Sequence, residues 1–256
     1  MKKELLAVIF ILPVLMIAGC HGNQTVKKNK EAQEIAAAVP DTGFTGIKQY
    51  KRGNYLIKEV TFKNGIKEGL TKTFYMSGQV YQTFWYKNNL REDSACWYYL
   101  EGQLFRTTPF KHDTIDGIQK QYYRNGDLRA NIGYSKGMRN SLFEEYTTEG
   151  KRVGPYPQMM VMIRDKYMID GTYSVDLAMT DKNIAVKFYR GRFENNRLDT
   201  TKLKPVPLLH GVPTITLKKS TKPGTDHLDI IASFFTTFGN KYFEYKKVEV
   251  PYDDLN

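Results

Sequence analysis

Few residues of this chain have the types and spacing that catalysis or metal binding requires. Four histidines, His21, His112, His210 and His227, are scattered, and none stands at a zinc-ligand spacing from a cysteine or an acid. Glu144 and Glu145 are adjacent, so in a strand they point to opposite faces and cannot work as a paired acid and base. Phosphate-loop, nucleophile-elbow and calcium-loop motifs are absent. The sequence therefore predicts a protein that is not an enzyme, with no metal and no cofactor.

Aromatic and basic residues at a fixed spacing offer a different chemistry, that of binding. Phe74, Tyr98, Tyr122 and Tyr146 recur every 24 residues, and Lys72 and Lys120 each stand two residues before one of them. Aromatic rings beside ammonium groups can hold a peptide or a glycan. We expect these residues to form a binding face. The alternative is that the rings pack beneath another part of the chain.

The same spacing runs through the whole of residues 62–151. Turn-forming residues repeat at the 24-residue step in three columns, which are Gly65, Asn89, Asp113, Gly137; Gly69, Asp93, Gly117, Ser141; and Gly78, Gly102, Gly126, Gly150. A second aromatic column, Phe62, Tyr86, Phe110 and Tyr134, keeps the step as well. A fixed period of this size is the signature of a repeat architecture.

Each repeat unit has the pattern of a β-hairpin. Asn64-Gly65 is a strong two-residue turn signal, because both central residues of a type I′ turn need positive φ. The following residues alternate, so that Leu70 and Phe74 point one way and Thr71 and Thr73 the other. We predict an all-β chain with a long antiparallel sheet of tandem hairpins. We expect one face of this sheet to carry both aromatic columns.

The unit Phe62-Lys63-Asn64-Gly65-Ile66-Lys67-Glu68-Gly69-Leu70, continued by Phe74-Tyr75 and Ser77-Gly78, resembles the MORN repeat in its bacterial variant form. The resemblance covers about residues 47–151. It departs from the family pattern at Asn89, Asp93, Ser141 and Thr147, which affects local turns. Family members are non-catalytic hairpin arrays that contact proteins or lipids, and some bacterial relatives are described as antitoxins. The resemblance implies the fold, but fold alone does not fix function.

The N-terminus predicts export. Lys2 and Lys3 precede an apolar run, residues 5–17, that is too short to span a bilayer as a free helix. This predicts a signal peptide over residues 1–19. Ile17-Ala18-Gly19-Cys20 resembles a bacterial lipobox, which implies lipidation of Cys20 and membrane attachment through that lipid. We expect a lipid-anchored protein of the cell envelope, on the outer membrane and facing the periplasm if the cell has two membranes. The alternative is an ordinary secretory peptide.

Residues 20–45 are polar and mixed in charge, which predicts a flexible tether. The formal net charge is +11, and residues 46–155 hold 18 Lys or Arg against 11 Asp or Glu. Such a balance can favour an anionic partner or simply a solvated surface. Export separates the chain from cytosolic nucleic acid, so we expect no nucleic-acid partner. Cys96 is left without a disulfide partner and is expected to be a packing residue on the strand face of Tyr98.

The period ends at Gly154-Pro155-Tyr156-Pro157, a predicted boundary between repeats at 46–155 and a second domain at 156–256. Alternating runs at 159–163, 171–179, 184–193, 213–217, 228–238 and 241–250 predict a β-sandwich. Residues 228–241 loosely resemble paired late strands of an immunoglobulin-like domain, without a Cys-Trp-Cys core.

These patterns leave three hypotheses for function. The first is a lipid-anchored scaffold of the envelope that presents the repeat surface to a protein or glycan. The second is an antitoxin or immunity-type protein that neutralises a toxin. The third is the substrate-binding part of an envelope hydrolase.

Overall fold

The computed structural model describes residues 43–256. The predicted signal peptide, the lipidation site Cys20 and the predicted tether up to residue 42 lie outside the described residues. Residues 43–256 form antiparallel sheets, and their only helix is the single turn α1 (Tyr167–Asp170). The prediction of an all-β, antiparallel chain is therefore confirmed. Gly65 N–H donates to the carbonyl of Phe44 at 2.8 Å, so packed structure begins within the last residues assigned to the tether.

The first sheet has ten strands in sequential order. They are β1 (Gly46–Arg52), β2 (Tyr55–Lys63), β3 (Ile66–Phe74), β4 (Val80–Lys87), β5 (Leu90–Tyr98), β6 (Leu104–Lys111), β7 (Thr114–Ile115), β8 (Gly117–Tyr122), β9 (Leu128–Ser135) and β10 (Met138–Glu145). The short β7 pairs only with β6, which then pairs with β8. We call this the amino-terminal sheet.

Two kinds of turn join these strands. Four two-residue turns, at Asn64-Gly65, Asn88-Asn89, His112-Asp113 and Lys136-Gly137, have φ of 49–52° at the first residue and 63–81° at the second. These values are those of the type I′ turn predicted at Asn64-Gly65. The other kind closes through two main-chain hydrogen bonds, as where Tyr75 N–H donates to Gln79 O at 2.8 Å and Gly78 N–H to Tyr75 O at 2.9 Å.

The C-terminal part contains two four-stranded sheets. One has the order β11-β12-β16-β15, formed by β11 (Met159–Lys166), β12 (Thr172–Met179), β16 (Val212–Lys218) and β15 (Leu208–Leu209). The other has the order β14-β13-β17-β18, formed by β14 (Lys204–Pro205), β13 (Lys187–Arg190), β17 (His227–Phe235) and β18 (Lys241–Glu249). Buried side chains from both, including Val175, Leu177, Phe188, Ile230 and Phe234, form one core, so this part is sandwich-like.

All six strand runs predicted for this part coincide with observed strands, with bounds that differ by three residues or fewer. The run predicted at 184–193 is shorter in the structure, where β13 covers only Lys187–Arg190. It ends because Gly191 takes φ of 152° and the chain turns away, with the Leu203 side chain packed where a Cβ would stand. The two-residue strands β14 and β15 are too short to give an alternating pattern.

A buried carboxylate joins the amino-terminal sheet to the sandwich. Glu145, at the end of β10, is 0% exposed. Its Oε1 accepts hydrogen bonds from Thr236 Oγ1 and Asn240 Nδ2, both at 2.7 Å, and its Oε2 accepts one from Tyr156 O–H at 3.1 Å. Gln121 of β8 donates to Asn240 Oδ1 at 2.8 Å. The Pro/Gly segment at 154–157 therefore lies beside a polar joint within one compact unit.

Candidate functional site

The strand registers assign each side chain of the amino-terminal sheet to one of two faces, because directly paired residues share a face. We call the face that carries Val60, Ala95, Ile132 and Glu145, all buried, the inner face. The opposite face, which carries Lys72, Cys96 and Lys120, is the outer face.

The two aromatic columns lie on opposite faces, so the expectation that one face carries both was wrong. Phe62 pairs directly with Lys67 across the two-residue turn. Phe74 lies seven residues after Lys67 in the same strand, and an odd step changes the face. The column Phe62, Tyr86, Phe110, Tyr134 is therefore on the inner face. The predicted binding residues Phe74, Tyr98, Tyr122 and Tyr146 stay together on the outer face with Lys72 and Lys120.

A continuous row of polar side chains crosses the outer face, with one residue from each of nine strands. Direct pairings link Gln49, Glu59, Lys72, Thr83, Cys96, Thr107, Lys120, Asn131 and Glu144 in this order. We call it the polar row. Neighbouring strands are about 4.8 Å apart, so Lys72 and Lys120, four strands apart, are separated by about 19 Å.

Two less polar rows flank the polar row. On one side lie half-buried rings, each two residues after a member of the polar row in the sequence. They are Phe74, Tyr98, Tyr122 and Tyr146. On the other side lie Leu70, Trp85 and Ile118, which are 38%, 48% and 44% exposed. Leu70 pairs directly with Trp85, so these two form one apolar patch beside Lys72 and Thr83. The outer face is thus amphipathic across most of the sheet.

A ladder of tyrosine hydroxyls fixes the backbone of the aromatic row. Tyr75, Tyr99 and Tyr123 donate to the carbonyls of Tyr98, Tyr122 and Tyr146 at 2.7, 2.9 and 2.7 Å. Each bond links a turn to the next unit, 23 residues later. These tyrosines also recur at the 24-residue step, so the sequence could have indicated them. The predicted binding residues were instead the rings one position earlier in each unit.

The charges of the polar row are unevenly satisfied. Glu59 accepts a hydrogen bond from Gln49 at 2.9 Å. Glu144 accepts hydrogen bonds from Asn131 Nδ2 and Tyr146 O–H, both at 3.0 Å, and these bonds hold the pKa of its carboxyl below the usual value. Within residues 43–256, neither Lys72 nor Lys120 has an acidic partner among the ion pairs. Lys72 is directly paired with Glu59, whereas Lys120 lies between Thr107 and Asn131 and has no acid beside it in the row.

On the inner face, aromatic rings contact arginine side chains of the same sheet. Arg106 lies 4.0 Å from the Trp97 ring centroid and Arg91 lies 4.4 Å from that of Phe110. Burial lowers the pKa of Arg106 and of Arg139, whose guanidinium lies 5.5 Å from the Tyr134 ring. The sandwich contacts this face through Gln121 and Glu145.

Cys96 stands near the middle of the polar row, paired directly with Thr83 and Thr107. It is a free, half-buried thiol on the same face as Tyr98, as predicted. Burial raises the pKa of the neighbouring Tyr98 hydroxyl. The thiol is useful as a reporter of what contacts the outer face.

The remaining candidates for chemistry do not converge on one another. His112 is an exposed turn residue 3.4 Å from Glu92, and His210 lies in another exposed turn. His227 lies between Asp226 and Asp229, with ring nitrogens 2.6 and 3.4 Å from their carboxylates. Across residues 43–256, no group of three or more His, Cys, Asp or Glu is arranged to hold a metal ion. No helix in that range is long and apolar enough to cross a membrane.

Comparison with protein-family models found no match, and comparison with curated proteins found none either.

Proposed function

We propose that this chain is a non-catalytic binding scaffold whose outer face holds an extended partner across successive strands. The observation that carries the proposal is the polar row, which runs between an aromatic row and an exposed apolar row. Protein interfaces commonly combine a central apolar patch with polar groups around it. The exposed Trp85 and Leu70 would supply such a patch, and Lys72 and Lys120 the charge.

A protein partner suits this surface better than a glycan. Leu70 and Ile118 are aliphatic and exposed, and burying them against another apolar surface is favourable at about 25 cal/mol per Å². Lys120, which has no acid beside it in the polar row, favours a segment that carries a carboxylate, by charge complementarity.

We further propose that the amino-terminal sheet is a MORN-type repeat array and the sandwich an immunoglobulin-like domain. The 24-residue spacing of the type I′ turns supports the first assignment. The sheet orders β11-β12-β16-β15 and β14-β13-β17-β18 support the second, because constant-type immunoglobulin domains place strands A, B, E and D in one sheet and C, F and G in the other.

The proposed location is the cell envelope, with the chain anchored through lipid on Cys20. The supporting observation is the sequence at residues 1–20. Several acyl chains on one residue would anchor the chain firmly, since each buried methylene contributes about 0.8 kcal/mol. A lipid-anchored binding protein would meet its partner at the membrane surface.

Partner capture with a matched pair of double variants tests the proposed surface. Trp85→Ser with Lys120→Glu changes the outer face, whereas Phe235→Ser with Lys187→Glu changes exposed residues of the same types on the sandwich. After cross-linking in intact cells, mass spectrometry should find a partner lost in the first variant and kept in the second. Equal capture by two folded variants would rule out the outer face.

Alkylation of Cys96 provides a second readout on the purified complex. A partner seated on the polar row should slow maleimide labelling of this thiol by about tenfold or more, since it lies between Thr83 and Thr107. Unchanged labelling in the presence of a captured protein would place that protein elsewhere. If the captured protein is a toxin, the antitoxin hypothesis is supported instead of a scaffold role.

A further inference from the structure

A cavity of about 600 Å³ opens in the sandwich, away from the outer face of the amino-terminal sheet. Its walls come from the end of β13, the following loop with β14, the start of β17 and Met138 of β10. Small-molecule sites typically have volumes of roughly 300–1,000 Å³. The cavity is therefore large enough for a ligand of metabolite size.

The loop that forms one wall is fixed at both ends and in its middle. Gly191 N–H donates to the carbonyl of Asp229 at 2.9 Å, and Lys204 pairs with Arg190 across β14 and β13. Leu198 is 1% exposed, and its N–H donates to the carbonyl of Arg139 at 2.8 Å. The cavity wall is thus attached to both parts of the molecule.

The lining is rich in cations. Five basic side chains, Arg190, Arg192, Arg197, Lys202 and Lys204, line it together with three acids, Glu194, Asp199 and Asp229. Asp229 accepts a hydrogen bond from Tyr245 O–H at 2.6 Å and lies 3.5 Å from Arg192. Asp199 lies 3.8 Å from Lys202 and accepts a hydrogen bond from Thr201 Oγ1 at 2.6 Å. Two acids are therefore already occupied by neighbours.

Three cations are left over. Among the described residues, Arg190, Arg197 and Lys204 take part in no ion pair with an acid, and the third acid of the lining, Glu194, takes part in none either, so the lining keeps an excess of two positive charges. Arg190 and Lys204 are directly opposite each other on paired strands. Like charges in this arrangement destabilise a sheet. An anion bound between them would turn this repulsion into attraction.

We propose that this cavity binds a phosphate-bearing ligand. A phosphate group carries a charge of about −1.5 to −2 at pH 7, which suits several unpaired cations better than a single carboxylate does. The planar guanidinium groups of Arg190 and Arg197 can each form paired hydrogen bonds to phosphate oxygens. The phosphate can come from a soluble metabolite or from a lipid headgroup, and the two sources are separated by the test.

Calorimetric titration with pyrophosphate at constant ionic strength tests the soluble source. Lys204→Gln and Arg190→Gln should each weaken binding by roughly tenfold or more, because each removes a charge-assisted hydrogen bond. Lys187→Gln is the matched control, since this exposed lysine lies in β13 outside the cavity lining. Co-sedimentation with phosphatidylglycerol vesicles, against phosphatidylcholine vesicles, tests the lipid source with the same three variants.

Binding to pyrophosphate alone identifies a soluble ligand, and binding to anionic vesicles alone identifies a headgroup. The proposal is overturned if the wild-type protein binds neither probe, or if Lys187→Gln weakens binding as much as Lys204→Gln does. Thermal melting without phosphate checks the fold independently. Lys204→Gln should melt at or slightly above the wild-type temperature, because it removes a repulsive pair.

Discussion

The amino-terminal sheet and the sandwich are held together in different ways. The sandwich buries a continuous cluster of side chains between two sheets, with residues such as Leu177, Ile230 and Phe234 at 2% exposure or less. The buried side chains of the amino-terminal sheet, such as Val60, Ala95 and Ile132 at 2%, 1% and 3% exposure, do not belong to that cluster. It relies on contacts that each unit makes with the next one.

Two repeated hydrogen bonds show this neighbour-to-neighbour construction. Asn89, Asp113 and Gly137 N–H groups donate to carbonyls of the preceding unit at 3.0, 3.0 and 2.8 Å. Glu68 and Glu92 accept from the turn N–H groups of Asn88 and His112, at 2.8 and 3.2 Å. Stability in such an array is approximately a sum of local terms, whereas a packed core is lost as a whole. The sheet can therefore leave its outer face open.

The largest expected effect comes from the sandwich core. Phe234→Ala should cost roughly 3–5 kcal/mol of unfolding free energy, because Phe234 is 2% exposed and its removal leaves a cavity. The adjacent Phe235, 64% exposed, gives the control, and Phe235→Ala should change stability by no more than about 0.5 kcal/mol. Urea unfolding followed by circular dichroism measures both.

Phe234→Ala can also test whether the sheet and the sandwich unfold separately. The two tryptophans, Trp85 and Trp97, both lie in the amino-terminal sheet and report on it alone. If the sheet is stabilised locally, Phe234→Ala should shift the urea midpoint measured by tryptophan fluorescence by less than half of the shift measured by circular dichroism. Coincident shifts of equal size would show that the two parts unfold as one cooperative unit.

A smaller effect is expected in the tyrosine ladder. Tyr99→Phe removes the hydroxyl that donates to Tyr122 O, and it should cost about 1 kcal/mol. Amide exchange should accelerate in β5 to β8 and stay unchanged in β17 and β18. Tyr55→Phe is the control, because Tyr55 is 51% exposed in the same sheet. Faster exchange throughout the sandwich would contradict the local construction of the sheet.

The smallest effect is a pH dependence at Glu144. Hydrogen bonds from Asn131 and then Tyr146 lower the folded-state pKa of this carboxyl below its ordinary value of 4.5. A depressed folded-state pKa stabilises the fold above about pH 4.5, and this contribution is lost as the pH falls through the folded-state value. Because the side chain is partly exposed, the contribution should stay below about 1 kcal/mol.

Urea midpoints between pH 3 and pH 7 measure this contribution of Glu144 to the stability of the fold. Glu144→Gln should flatten the acid side of the profile, and Asn131→Ala should flatten it in part. An identical profile in wild type and Glu144→Gln would refute the assignment.

The sequence predicted the parts of the fold that depend on local geometry. Asn64-Gly65 fixes a type I′ turn by backbone preference alone, and its 24-residue copies locate the other strands. The strand runs of the sandwich followed from alternation. The prediction that both aromatic columns share one face was wrong because Phe62 pairs with Lys67, and the step from Lys67 to Phe74 is odd. Which residue pairs with Phe62 depends on the position of the two-residue turn.

The candidate site was predictable only in part. The six predicted residues do share the outer face, because each lysine precedes its ring by two residues. Trp85 was missed because its 24-residue column reads Thr61, Trp85, Pro109 and Gly133, which share no chemical type. The cavity beside β13 was not predictable, because Arg190 and Lys204 meet only after the intervening loop closes. His227, one of the four scattered histidines, begins β17 and lines that cavity.

The polar row has one further consequence. Because nine of the ten strands each supply a single side chain to it, its length depends on the number of hairpins and not on the length of the strands. Inserting one more 24-residue unit would lengthen the row by two positions, about 10 Å, and separate only the one neighbour pair at the point of insertion. If the proposed function holds, chains with more or fewer units would present polar rows that suit partners of different lengths.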